Sequence, residues 1–113
     1  MKPNRITQVH VDGGGPLSGA AGSGETSLDV EQSGGVAPWA DIIVYDAPNT
    51  DAGFFDVFNQ AVSDNKVDSL SVSWGSPEIF YFPQLNDGVD FTDELRAFHQ
   101  VFLEAAAQGI SMF

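Results

Sequence analysis

Apolar and polar positions change period several times along the chain, and each change marks an element. Ile6-Thr7-Gln8-Val9-His10-Val11 alternates and is rich in β-branched residues, which predicts a strand ending near Asp12. Residues 12–24 are glycine-rich and carry Pro16 and Ser18, a composition that buries too little apolar surface to form an element, so they read as a surface loop. Glu25 to about Val36 follows as a helix, weakened by Gly34 and Gly35, which would let helix and sheet approach closely, and stopped by Pro38. Asp41 to Tyr45 contains Ile-Ile-Val, the unbroken apolar run of a strand covered on both faces.

The alternation then repeats. Thr50 stands where it can cap a helix with Asp51 in its first turn, and Phe54, Val57, Phe58, Ala61 and Val62 recur at helical spacing as one core stripe. Residues 64–68 turn the chain, Ser69 to Trp74 reads as the next strand, and Glu78 to Val89 as a long aromatic-containing loop. Thr92 then caps a helix that opens with Asp93 and Glu94, has Leu95, Phe98, Phe102 and Ala106 on its inner face, and stops at Gly109. Ile110 to Phe113 begins a further strand. The order β-α-β-α-β-α-β predicts an α/β fold with a mainly parallel sheet, right-handed crossovers and helices on its faces. Sites in such sheets gather at the carboxyl ends of strands, where residues 12–24, Asp46, Trp74-Gly75 and the start of the first helix would lie.

Length and charge narrow the picture. At 113 residues the chain is at most one domain. Sixteen acidic residues against four basic ones give a net charge of -12, which argues against nucleic acid or an anionic membrane as a partner. Solubility is one account of that charge; the other is adaptation to acid, where protonation relieves the self-repulsion. No cysteine is present, so disulfides and Cys-ligated zinc are excluded. There is no apolar run near 18 residues and no signal-peptide pattern at Met1-Lys2-Pro3-Asn4.

The candidate chemistry centres on Glu25 and Asp29. Four residues apart on a helix, they share a face, and two carboxylates that close titrate as a unit with one proton held between them, which suits a general base working in acid. Glu31 faces the opposite side. On spacing alone the commoner account is a pair of first-turn acids set against the helix dipole. His10 and His99 read as structural, since no Ser-His-Asp signature such as G-x-S-x-G occurs. Asp46, Asp51 and Glu78 are scattered acids without a D-x-[DN]-x-[DN]-G loop, so no metal site is expected.

Three stretches resemble the sedolisin family of serine-carboxyl peptidases: Glu25 to Pro38, Ile42 to Phe54 with its Ala47-Pro48-Asn49-Thr50-Asp51-Ala52-Gly53-Phe54, and Ser71-Val72-Ser73-Trp74-Gly75-Ser76-Pro77 with Glu78. The resemblance implies a subtilisin-like three-layer fold, of which residues 1–113 would be a single partial domain, internal to the catalytic domain. It implies a Ser-Glu-Asp triad in which Glu25 is the general base and Asp29 orients it, with Ser73, Trp74 and Gly75 along the bound peptide. Without it, Trp74 reads as a core aromatic.

The family's G-T-S segment with the nucleophilic Ser and its oxyanion Asp have no counterpart in these residues, so the expectation is a serine-type endopeptidase segment that is inactive alone. No cofactor is expected within the segment, because the family's calcium site lies toward its C-terminus. The partner is a peptide or protein substrate, self-association through cut sheet edges is expected, and the full-length protein is expected to be extracellular. The alternative is a non-catalytic acidic α/β module that binds a peptide or cation at the same sheet edge.

Overall fold

The computed structural model describes residues 5–15 and 22–113, in two compact units, residues 1–60 and 61–113. The fold is α/β, and its elements follow the expected order: β1 (Ile6–His10), α1 (Ser23–Val36), β2 (Ile42–Asp46), α2 (Asp51–Asp64), β3 (Ser69–Leu70), α3 (Thr92–Gln108) and β4 (Ser111–Met112). Pro16 and Ser18 of the expected loop, and the Met1 to Asn4 stretch, lie outside the described residues.

In the first unit β1 and β2 form a parallel ladder running from Ile6 opposite Ile42 to His10 opposite Asp46. Backbone bonds extend it at both ends, from the Ile42 amide to the Arg5 carbonyl (2.8 Å) and from the Val11 amide to the Asp46 carbonyl (2.8 Å). Helix α1 starts two residues earlier than expected. Gly22 at φ 100° supplies its cap, and the Thr26 amide donates to the Gly22 carbonyl at 3.0 Å, so backbone freedom rather than a capping side chain sets the start. At α2 the Thr50 cap forms as expected, with the Gly53 amide donating to the Thr50 hydroxyl at 3.0 Å.

The far end of α1 is closed by a side chain that sequence patterning does not single out. Arg5, only 7% exposed, donates from its guanidinium to the carbonyls of Gly34 (2.8 Å), Ala37 (2.9 Å) and Ala40 (3.0 Å). The last carbonyls of a helix lack intrahelical partners and sit at the negative end of its dipole, so a buried cation there satisfies both. Glycine at 34 leaves room for this placement, since a Cβ would stand 2.5 Å from Arg5 Nη2 and would displace the guanidinium. Gly35 has open space around it, so only one of the two glycines serves close approach.

In the second unit β3 pairs with β4 in parallel, Ser69 opposite Ser111 and Leu70 opposite Met112. The expected strand to Trp74 is shorter. Its ladder gains one more bond, Val72 amide to Phe113 carbonyl at 3.0 Å, and then residues 73–77 leave regular structure. The expected aromatic loop contains two short 3₁₀ helices, Glu78–Tyr81 and Pro83–Leu85.

Helix α3 buries Phe98, Val101 and Ala105, while Phe102 and Ala106 are exposed. The buried stripe is therefore rotated from the expected one; Val101 and Phe102 are adjacent apolar residues, and packing selects the smaller. Its start also differs: Thr92 is the first helical residue, and its amide donates to the Asp90 carboxylate at 2.9 Å. That bond, with a second from the Thr92 side chain, holds Asp90 below the usual carboxylate range. At the other end Gly109 adopts φ 79° and the Ile110 amide reaches the Ala105 carbonyl at 2.9 Å, the Schellman closure that the glycine predicts.

Candidate functional site

Glu25 lies in the first turn of α1 and Asp29 one turn further on, so the two carboxylates share a face of a regular helix. Both are half-buried, whereas Glu31 is exposed. That difference is the one expected if the Glu25–Asp29 face looks toward protein and the Glu31 face toward water. The dipole at the start of α1 sets its positive end beside Glu25.

The carboxyl end of the β1–β2 ladder carries a second constellation. Asp46, the last residue of β2, accepts the Gly15 amide at 2.7 Å, the His10 ring Nδ1 at 2.9 Å and the Gln8 amide nitrogen at 3.2 Å. Burial works against the charge of Asp46, but the Gly15 amide, His10 and Gln8 outweigh it and hold the carboxyl below its ordinary range. Gly14 is pressed against the same group: a Cβ there would stand 2.5 Å from His10 Nδ1 and 2.8 Å from Asp46 Oδ2. Nearby, Asp56 of α2 is hydrogen-bonded to the Asp12 side chain; that bond, then burial, then the Asp12 charge push Asp56 above the usual carboxylate range.

Sequence reasoning placed Asp46 at the sheet edge but found neither its partners nor the Asp12–Asp56 pair. The only local signal was His10 and Asp46 ending two consecutive strands, since parallel strands in register bring their last residues level. Nothing in the sequence points from Asp12 to Asp56. His99 is exposed on α3. Among the described residues no three of His, Asp and Glu come together as a metal site.

In the second unit Ser73, Trp74 and Gly75 lie in the irregular stretch after β3. Trp74 is 54% exposed, so it is not the core aromatic that its residue type alone suggests. A Cβ at Gly75 would meet nothing within 4 Å, which leaves the backbone there open to approach.

No model of a protein family matches the chain. The chain is similar to kumamolisin of Bacillus sp. (strain MN-32), with 39% identity over 113 residues that take in 96% of this chain and 19% of kumamolisin. The chain thus spans about a fifth of the length of the curated relative it matches. Likeness at that level over almost all of these residues supports a sedolisin-like relationship, and with it a peptidase kinship, for the segment they represent.

Proposed function

We propose that these residues supply the carboxylate pair of an acid-acting serine-carboxyl endopeptidase. Glu25 is the general base that takes the proton from a serine nucleophile and returns it to the leaving amine; Asp29 orients Glu25 and shares its proton. A carboxylate suits this role in acid, because a good base has a pKa near the operating pH and an imidazole is already protonated at pH ~4. Trp74 and Gly75, with Ser73, lie along the bound peptide, where open backbone and an exposed ring can receive an extended chain. The substrate is a peptide or protein, and the whole enzyme works outside the cell.

The observation that carries the reading is the 39% identity to kumamolisin across nearly the whole chain. The half-burial of Glu25 and Asp29 on one face of α1 agrees with it. The test is a chimera in which these residues replace the aligned segment of kumamolisin. Glu25→Gln is expected to lower peptide hydrolysis near pH ~4 on the order of 10²–10⁴-fold, the usual worth of a positioned base, with a smaller loss for Asp29→Asn. The 113 residues alone are expected to show no turnover. A chimera that keeps full activity with Glu25→Gln would refute the assignment.

A further inference from the structure

Residues 77–91 of the second unit follow an irregular path that their own backbone ties down. The Phe80 amide donates to the Pro77 carbonyl at 3.0 Å, Leu85 to Phe82 at 3.1 Å and Val89 to Asn86 at 2.9 Å, each a turn that brings its two ends close. Gly88, at φ 84° after Asp87 at 51°, swings the chain back so that its amide reaches the Pro83 carbonyl at 2.9 Å. The Phe91 amide then donates to the Tyr81 carbonyl at 2.9 Å and closes the segment.

The side chains on this frame are sorted against their polarity. Ile79, Phe80, Phe82, Leu85 and Val89 are 43–55% exposed, whereas Pro83 and Asn86 among them are half-buried. Exposed apolar area is penalised in proportion to its extent, so a backbone fastened in this arrangement presents a surface suited to being covered.

The charges around it say by what. From Trp74 to Leu95 the sequence has five acids, Glu78, Asp87, Asp90, Asp93 and Glu94, and no lysine, arginine or histidine. The lysine and arginine of the second unit, Lys66 and Arg96, are ion-paired with Asp64 and Asp93. A second copy of the chain, at net charge -12, would bring the same acids to the same face and be repelled, as would an anionic lipid or a nucleic acid. A cation can also sit over an exposed phenylalanine ring, so the aromatic and the acidic residues favour the same partner. We propose that residues 79–89 are a docking surface for a cationic amphipathic segment of another polypeptide. Its apolar side chains cover Ile79, Phe80, Phe82, Leu85 and Val89, and its lysines or arginines meet Glu78, Asp87 and Asp90. The surface does not depend on whether the acids of α1 do chemistry.

The test is fluorescence anisotropy of a dye-labelled, end-blocked peptide of leucine and lysine, titrated with the 113-residue chain at pH ~7 and low salt. This peptide is expected to bind, and counterparts with glutamate for lysine, or serine for leucine, to bind roughly tenfold more weakly or less. Phe80→Ser combined with Phe82→Ser should weaken binding about tenfold or more while circular dichroism and thermal midpoint stay as they were, since both rings are exposed. Trp39→Ser, which removes an exposed aromatic of the first unit, and Glu25→Gln should both bind like the unaltered chain. Loss of hydrolysis in a Glu25→Gln chimera and loss of peptide binding here therefore report on separate surfaces. Failure of the leucine–lysine peptide to bind, equal binding of the serine–lysine peptide, or unchanged affinity in the double variant would overturn the proposal. So would a dimer in sedimentation, or adsorption to phosphatidylcholine vesicles, that the double variant abolishes, since these would give the face to a second copy or to a lipid surface.

Discussion

The two ends of the β1–β2 ladder solve the same problem with opposite charges. At the amino end a cation, Arg5, collects carbonyl oxygens from the close of α1; at the carboxyl end an anion, Asp46, collects N–H donors from His10, Gln8 and Gly15. The first is buried and its charge is fixed at any ordinary pH. The second is partly open, with side-chain exposures of 23% for Asp46 and 51% for His10, and its charge can be titrated away. One end is therefore a permanent fastening and the other a conditional one.

Removing the cation is expected to cost most. Arg5→Met keeps the apolar stem but removes the guanidinium from the Gly34, Ala37 and Ala40 carbonyls, of which Ala37 keeps the Ala40 amide as a donor, a loss of about 3 kcal/mol in urea unfolding. A loss much below that would mean that water replaces the guanidinium without penalty.

The glycines beside Arg5 sharpen the contrast. Gly34→Ala gains about 1 kcal/mol of helix propensity but forces a methyl group onto Arg5 Nη2, and overpacking of about 1–3 kcal/mol should win, for a net destabilisation. Gly35→Ala has no such neighbour and should stabilise by up to about 1 kcal/mol. In the Arg5→Met background Gly34→Ala should become favourable too. That reversal in a double-mutant cycle is the direct measure of the contact.

The smallest effect belongs to the open end. Asp46→Asn loses the charge and turns one accepting oxygen into an amide donor, so only one of the Gly15 and Gln8 bonds survives; at this solvent-screened end about 1 kcal/mol is expected at pH above the ordinary carboxylate range. Because the folded Asp46 is lowered, the difference between the two proteins should vanish as pH falls through that lowered value. Stability curves that stay parallel down to strong acid would break the comparison.

What the sequence made legible is the part that local period controls. The seven elements and their order, the Thr50 cap and the Gly109 stop come from spacing and turn chemistry within a few residues. What it hid depends on distant partners. Arg5 and Gly34 are 29 positions apart, and an arginine before a strand carries no mark of the helix end it will close. On α3 two overlapping apolar stripes satisfy the same period, and only packing chooses Phe98-Val101-Ala105 over Phe98-Phe102-Ala106. At the candidate site, the Glu25–Asp29 spacing was visible because it lies within one helix. The company kept by Asp46 was not, because three segments have to converge to make it.

Both tryptophans stand in solvent, Trp39 in the first unit at 73% exposure and Trp74 in the second at 54%. Their fluorescence should emit at nearly the same long wavelength in the folded chain and in urea, which makes intrinsic emission a blunt reporter of unfolding. The same exposure turns Trp74 into a clean optical probe of whatever docks beside it: in a Trp39→Phe background, a blue shift on adding a peptide would come from that single indole.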